Sequence, residues 1–373
     1  MMNSRDAAYV VIGGGLVGTA LGYGLARLGH SVILLDEGDR ALRASRGNFG
    51  LVWVQGKGLH KPEYAALSRR SADLWPGFAA ELKEVTGIDV GHERRGGAMI
   101  ASSEAELEGF VTMLEQIRSE AGDTPYDYEV LDHRGLEKLV PGLGPQIPGG
   151  TFSPYDGHVD PLCTLRALHD GFSVRHGKYV PNCAVTAIHP GESGFRLETA
   201  KGPVMADRVV IAAGLASADL APMVGLNAPV RPVHGQLLIT ERAPRRLEIP
   251  TNIIRQVQNG GFQIGLSHED LGFTTETRAA LMRDIACNAV RALPYLGDLR
   301  VLRTWGALRI MTPDGFPIYA ESARHPGVYV MTCHSGVTLA AAHALEAATW
   351  IAADGLPDEA RPFSGERFDV QAA

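Results

Sequence analysis

The segment Gly13-Gly14-Gly15-Leu16-Val17-Gly18 constrains this chain more than any other. It follows a short apolar run, residues 8–13, and opens a Gly- and Ala-rich stretch, 16–29, that reads as a helix; residues 31–36 then read as a second buried strand ending in Asp36. Strand, G-x-G-x-x-G turn, helix and strand together make a βαβ unit suited to a dinucleotide. Gly13 permits the tight turn, Gly15 lets the backbone approach a pyrophosphate at the positive end of the helix, and Gly18 lets helix and strand pack closely. Leu16 and Val17 belong to the same contact set. Asp36, or else its neighbour Glu37, is placed to accept hydrogen bonds from an adenosine ribose. An acid here favours NAD or FAD over NADP, and the motif alone does not choose between those two.

The 373 residues suggest two domains, at about 150 residues each. Glycine is in excess, 44 residues with no G-X-Y period, which implies tight turns and close backbone approaches. A net charge of −7 argues against a nucleic-acid partner. Cys163, Cys183, Cys287 and Cys333 form no C-x-x-C pair, so neither zinc nor an iron–sulfur cluster is expected, and reduced thiols are. The start, Met1 to Asp6, lacks the layout of a secretory signal, and the apolar stretch Val337–Ala353 is interrupted by His343 and Glu346, so no transmembrane segment is expected. The cytoplasm is the expected location, with a membrane reached only through a partner.

Further along, helices are expected from Pro62 to about Val85, at 103–121, 161–175, 277–292 and 337–353. Strands are expected at 179–189, 194–199, 203–213, 229–240, 253–266, 301–310, 316–320 and 328–333, with loops at 91–97 and 141–150. Asp160 before Pro161 has N-cap and first-turn chemistry.

Two more segments carry chemistry. Ala44-Ser45-Arg46-Gly47-Asn48-Phe49-Gly50-Leu51 stands where a plain nicotinamide fold would continue into another helix. Its small, hydrogen-bonding residues suit a diphosphate and flavin, and the Arg46 guanidinium offers paired donors to phosphate oxygens. Near the end, Trp305-Gly306-Ala307-Leu308-Arg309 is followed by Cys333-His334-Ser335-Gly336-Val337-Thr338. There a strand gives way to a helix whose free N–H groups would stabilise negative charge on the pyrimidine end of a reduced flavin. Arg309, charged within an apolar strand, calls for an anion, either a substrate carboxylate or an internal acid.

The order of these motifs, with Asp156-Gly157-His158-Val159-Asp160-Pro161 between them, resembles the D-amino-acid oxidase superfamily of FAD-dependent oxidoreductases. The wording of 45–53 is similar to β subunits of opine (octopine and nopaline) oxidases, D-hydroxyproline dehydrogenase and hydrogen cyanide synthase. The resemblance implies an α/β fold: a Rossmann-like FAD-binding domain (1–60, 150–228, 301–373) interleaved with a mixed-sheet α+β substrate domain (61–149, 229–300). It implies non-covalent FAD contacted by the first motif, by Ser45, Arg46, Asn48, Phe49, Gly50 and Leu51, by Val185 at the adenine, by Ala213 and Gly214, by Gly306, and by His334, Ser335, Gly336, Val337 and Thr338. Arg309 matches the clamp on the substrate carboxylate, and His158 and His268 are candidates for the substrate pocket, as are Tyr155 and His234. The implied reaction is oxidation of an amino-acid C–N bond by hydride transfer to flavin N5, with hydrolysis of the imine. Lys57 and Lys61, in a Gly-rich loop, are candidates for the phosphate of a second flavin, FMN, shared with a larger subunit that carries flavin and iron–sulfur centres. Competing expectations are a glycine or D-amino-acid oxidase that works as a single polypeptide, a D-hydroxyproline or hydroxy-acid dehydrogenase, and an electron-transfer or scaffold subunit.

Overall fold

The computed structural model describes residues 6–38, 44–265 and 267–369. Met1–Arg5 and Leu266, the last residue of the expected 253–266 strand, lie outside them. The central sheet is parallel: Ala7–Ile12 lies between Val32–Leu35 and Val204–Ile211, and Lys178–Val180 and Val328–Thr332 extend it on either side. Ile318–Glu321 closes one edge antiparallel to Val328–Thr332, and the hairpin Val185–Gly191/Gly194–Thr199 hangs from Val204–Ile211. These central strands are continuous apolar runs because both faces are covered; Val10, Val11, Leu34, Val209, Val210 and Ile211 have no exposed surface.

The helix Leu16–Arg27 is buried along nearly its whole length. Its glycines would each cost about 1 kcal/mol in an exposed helix, but here Gly18 and Gly24 are points of closest approach. A Cβ at Gly18 would overlap the Gly13 carbonyl oxygen, and one at Gly24 the Ala344 carbonyl oxygen. The neighbouring helix, Pro161–Val174, is capped by Asp160, whose side chain accepts from Leu162 N (2.8 Å) and Cys163 N (2.9 Å), an arrangement worth about 1 kcal/mol. The closing helix begins later than 337. Its first helical bond runs from Leu339 N to Ser335 O (3.0 Å), and the run Ala340–Ala352 contains a wide π turn, His343–Ala347.

A second, antiparallel sheet has the strand order Ile254–Gln256, Gly261–Ile264, Arg231–Arg242, Val301–Met311. The sheets divide the chain differently from the sequence-based boundaries at 150 and 301. Val301–Met311 pairs along its length with Arg231–Arg242, and Gly149–Ser153 pairs with Gly97–Ala101 and Glu129–Asp132. The latter three-stranded sheet has no counterpart in the sequence reading. Its middle strand opens with Gly149-Gly150, which resembles a loop in sequence but is glycine for lack of space, since Cβ atoms there would overlap the carbonyls of Leu131 and Met99. No helix among the described residues is long and apolar enough to cross a membrane.

Candidate active site

The dinucleotide end forms as its motif dictates. Gly13 has φ +112°, a conformation that favours glycine, and a Cβ there would overlap the carbonyl of Ala212 at the end of the adjacent strand, just before Ala213 and Gly214. Asp36 is buried at the end of Val32–Leu35 and accepts from Gly14 N (2.7 Å) and Gly38 N (3.0 Å), whereas Glu37 is exposed. The Ser45 hydroxyl accepts from Leu16 N (2.9 Å), which brings the loop that carries Arg46 to the start of the helix. His169, on the helix Pro161–Val174, donates from Nε2 to Gly14 O (3.0 Å) and so braces the turn; burial lowers its pKa. The sequence reading missed it, because its partner lies 155 positions away.

From Ser45 the chain runs to Leu51 along the second sheet. Trp305 Nε1 donates to Gly47 O (3.3 Å), Gln263 Nε2 donates to Asn48 O (3.1 Å), and Arg255 lies 5.9 Å from the Phe49 ring. The run ends on the closing helix, where Thr338 Oγ1 donates to Leu51 O (3.3 Å) and accepts from Trp53 N (3.1 Å). Gly336 packs on Leu16 and Val17, so the closing junction adjoins the first motif.

Arg309 pairs with Val233 across the sheet, which places it on the same face as Trp305, Gln263 and Arg255. Leu238, Ile254, Phe262 and Ile264 alternate to the other face and join a core with Ile285 and Ala289 of the helix Ala279–Ala292. The Arg309 guanidinium donates to the carbonyls of Ser267 (2.7 Å) and His234 (3.2 Å), and among the described residues no carboxylate lies within ion-pair distance. Burial pushes its pKa down to about 10. His268 is lowered by burial and by the Arg309 charge. His334 is held down at about 3 by burial and by the fields of Lys57, Arg309 and His268. Lys57, Arg309 and His268 thus all lie near enough to act on His334 electrostatically, and Arg309 acts on His268 as well.

Two expected residues stand elsewhere. Gly306 alternates to the opposite face from Arg309, where a Cβ would overlap His234 Nε2, so close packing behind the sheet requires glycine there. His158 is buried against Arg255 (3.5 Å) and Glu93 (4.0 Å), and its backbone pairs with Leu51.

Residues 8–350 match the DAO family, described as FAD dependent oxidoreductases. The chain belongs to that family. It is 43% identical over 363 residues to the B subunit of opine oxidase from Rhizobium meliloti, covering 97% of this chain and 98% of the relative. It is 44% identical over 367 residues to the B subunit of opine oxidase from Agrobacterium tumefaciens, with 97% and 98% covered. The crystal structure of glycine oxidase from Geobacillus kaustophilus superposes with a TM-score of 0.90 at 26% identity, over 98% of this chain and 100% of that one.

The residues present suit FAD: a turn where any Cβ would fill the cradle, a buried acid at the strand end, and a loop between diphosphate and junction in place of another helix. Ser45, Arg46 and the turn N–H groups would hold the diphosphate, and Asp36 the ribose.

Lys57, a candidate in the sequence for the phosphate of a second flavin, directs its ammonium inward, donating to Ser335 Oγ (2.7 Å) and Thr338 Oγ1 (3.0 Å). Val54 and Gln55 are buried, and Asp156 holds this stretch by accepting from Val54 N (2.5 Å), Gln55 N (3.3 Å) and Gln55 Nε2 (2.6 Å). Tyr126 adds bonds to Val54 O and Gly56 N. Lys61 precedes the helix Pro62–Thr86, and its carbonyl accepts from Tyr64 N (2.9 Å).

Proposed function

We propose that this oxidoreductase acts on the C–N bond of an opine-like secondary amino acid and works as the FAD-bearing catalytic subunit of a hetero-oligomer. The observation that carries the substrate class is Arg309, a half-buried guanidinium with no acidic partner among the described residues, on the sheet face whose Trp305 and Gln263 hold the flavin-wrapping loop. A guanidinium offers two parallel donors to a carboxylate, which anchors an amino acid by its invariant end and leaves specificity to the rest of the site. His268 and His334 have lowered pKa values and are neutral at neutral pH, so they do not add charge against a substrate amine. When bound, FAD accepts the α-hydrogen as hydride, and water hydrolyses the resulting imine to a keto acid and an amine. The extent of the match to the opine oxidase B subunits of two organisms supports both the substrate class and the subunit role.

The deciding experiment is anaerobic bleaching of the purified flavoprotein by opines, D-amino acids, D-hydroxyproline, glycine and sarcosine, alongside hydroxy acids and glycerol phosphate. Opines should bleach it fastest. Bleaching by a hydroxy acid alone, or by no amine, would refute the reading. Expressed without its neighbouring open reading frames, the chain should react slowly with oxygen; a fast peroxide-producing monomer would refute the subunit role.

Gly235 is tied to the same reading. It lies opposite Ala307 in the sheet, and a Cβ there would overlap the Arg309 guanidinium. The obstructed group is the far end of a flexible side chain, so Gly235→Ala should displace it at little cost to stability. We expect thermal midpoint and FAD content at the wild-type level and substrate affinity reduced about tenfold to a hundredfold, as misplacement of an anchoring group by about 1 Å does. Unchanged substrate titration would show that Arg309 does not depend on this gap.

A further inference from the structure

We propose that Lys57 holds a positive charge against the pyrimidine end of the bound flavin and thereby sets how readily the cofactor accepts electrons. The proposal rests on the FAD reading above and adds a residue to it.

The direction of the cofactor follows from the two ends of the cleft. Asp36 and the Gly14 turn fix the adenosine side, and Leu16 N with Ser45 fixes the diphosphate. The loop from Ser45 leads away from that point and ends where Leu51 and Trp53 meet Thr338. The redox ring therefore lies between this junction and the sheet face that carries Arg309. One end of an isoalloxazine is apolar and offers no acceptor, whereas the pyrimidine end carries carbonyls and ring nitrogens. Only the latter can be received by a set of donors.

Such a set is built here. The Lys57 ammonium donates to the hydroxyls of Ser335 and Thr338 and lies 5.8 Å from the centre of the Tyr64 ring, whose hydroxyl also bonds Ser335 (2.7 Å). Two of the three ammonium donors are thus accounted for by neutral groups. Among the described residues no carboxylate lies within ion-pair distance of Lys57. Among the described residues the acid that acts on it is Asp156, already held by Val54 and Gln55. Placing an ammonium where burial lowers its pKa to about 8 costs free energy. The fold nevertheless commits Asp156, Gln55, Thr151 and Tyr126 to holding the loop that delivers it.

The charge count around His334 supports the same assignment. Two cations, Lys57 and Arg309, act on His334, and among the described residues neither is ion-paired with a carboxylate. A substrate carboxylate answers Arg309. The negative charge that two-electron reduction places on the pyrimidine ring answers Lys57, and a preorganised cation in a water-poor site stabilises it more than solvent does.

The test uses the holoenzyme with Lys57→Met and Lys57→Gln, the second keeping a donor to the hydroxyls without the charge. FAD content, midpoint potential by dye equilibration, and sulfite affinity are measured; sulfite adds to the flavin and leaves the same ring negatively charged. Both variants should keep FAD and bind sulfite at least tenfold more weakly. Their reduction equilibrium should fall at least tenfold, about 30 mV for a two-electron couple. Lys57→Arg should stay near wild type. Unchanged potential and sulfite affinity in FAD-loaded variants would overturn the proposal alone, as would loss of FAD from both, which would make Lys57 a cofactor-retention residue. Wild-type protein that yields no FAD would overturn the FAD reading and this proposal together.

Discussion

Arg309→Lys should weaken substrate binding by about 2–5 kcal/mol, roughly thirtyfold to several thousandfold, while FAD stays bound. Lysine keeps the charge but replaces a planar fork of donors by one rotatable ammonium. In this enzyme the fork is oriented from behind, because Nη1 is spent on the carbonyls of Ser267 and His234, and Gly235 leaves the space in which the group lies flat. An ammonium on a shorter reach keeps neither constraint. The Ser45–Leu51 loop makes its bonds to Gln263 and Trp305 on the same sheet, not to Arg309, so flavin retention should be unaffected. Anaerobic stopped-flow reduction separates the two quantities, the substrate concentration dependence reporting binding and the absorbance amplitude reporting bound flavin. Wild-type binding constants, or a variant that purifies without flavin, would remove Arg309 from the carboxylate site.

Gly18→Ala should produce a protein that folds poorly around FAD or not at all. The added methyl would overlap the Gly13 carbonyl and press on the Ala212 side chain at 3.3 Å, and both neighbours directly follow strands of the central sheet, one a backbone carbonyl and the other a methyl with no freedom to turn away. Relief requires the helix Leu16–Arg27 to move outward, which breaks the Ser45–Leu16 bond and displaces the N–H groups meant for the diphosphate. Overpacking of this kind costs about 1–3 kcal/mol in stability, occasionally more. The effect on FAD occupancy should be larger, a loss of most of the bound cofactor. FAD released by acid per mole of protein, together with the thermal midpoint, measures both; full occupancy at the wild-type midpoint would show that this contact does not fix the helix.

The parts of the site legible in sequence are those whose cause and effect lie close together along the chain. Ala7 to Asp36 form strand, turn, helix and strand within one local unit, so residue spacing specifies the geometry. Asp160 capping its helix is equally local. Arg309 was legible for another reason, since a charge inside an apolar strand needs an explanation wherever the strand goes. The inward direction of Lys57 was not legible, because a Gly-rich stretch with two lysines and a histidine has the composition of a surface turn. What directs it inward is a carboxylate 102 positions from Val54 and a helix start 278 positions from Lys57. Gly235 and Gly306 are both glycines in paired strands, yet one makes room for the guanidinium and the other packs on His234 behind the sheet, because side chains alternate faces and only the register of Arg231–Arg242 against Val301–Met311 assigns each to a side. By itself the sequence determined the dinucleotide fold, the acid at its strand end and the anion-seeking arginine. Tertiary structure alone decided that an ammonium and a guanidinium 252 residues apart in number act on the same imidazole, because such fields are felt only when the fold brings the charges near one another.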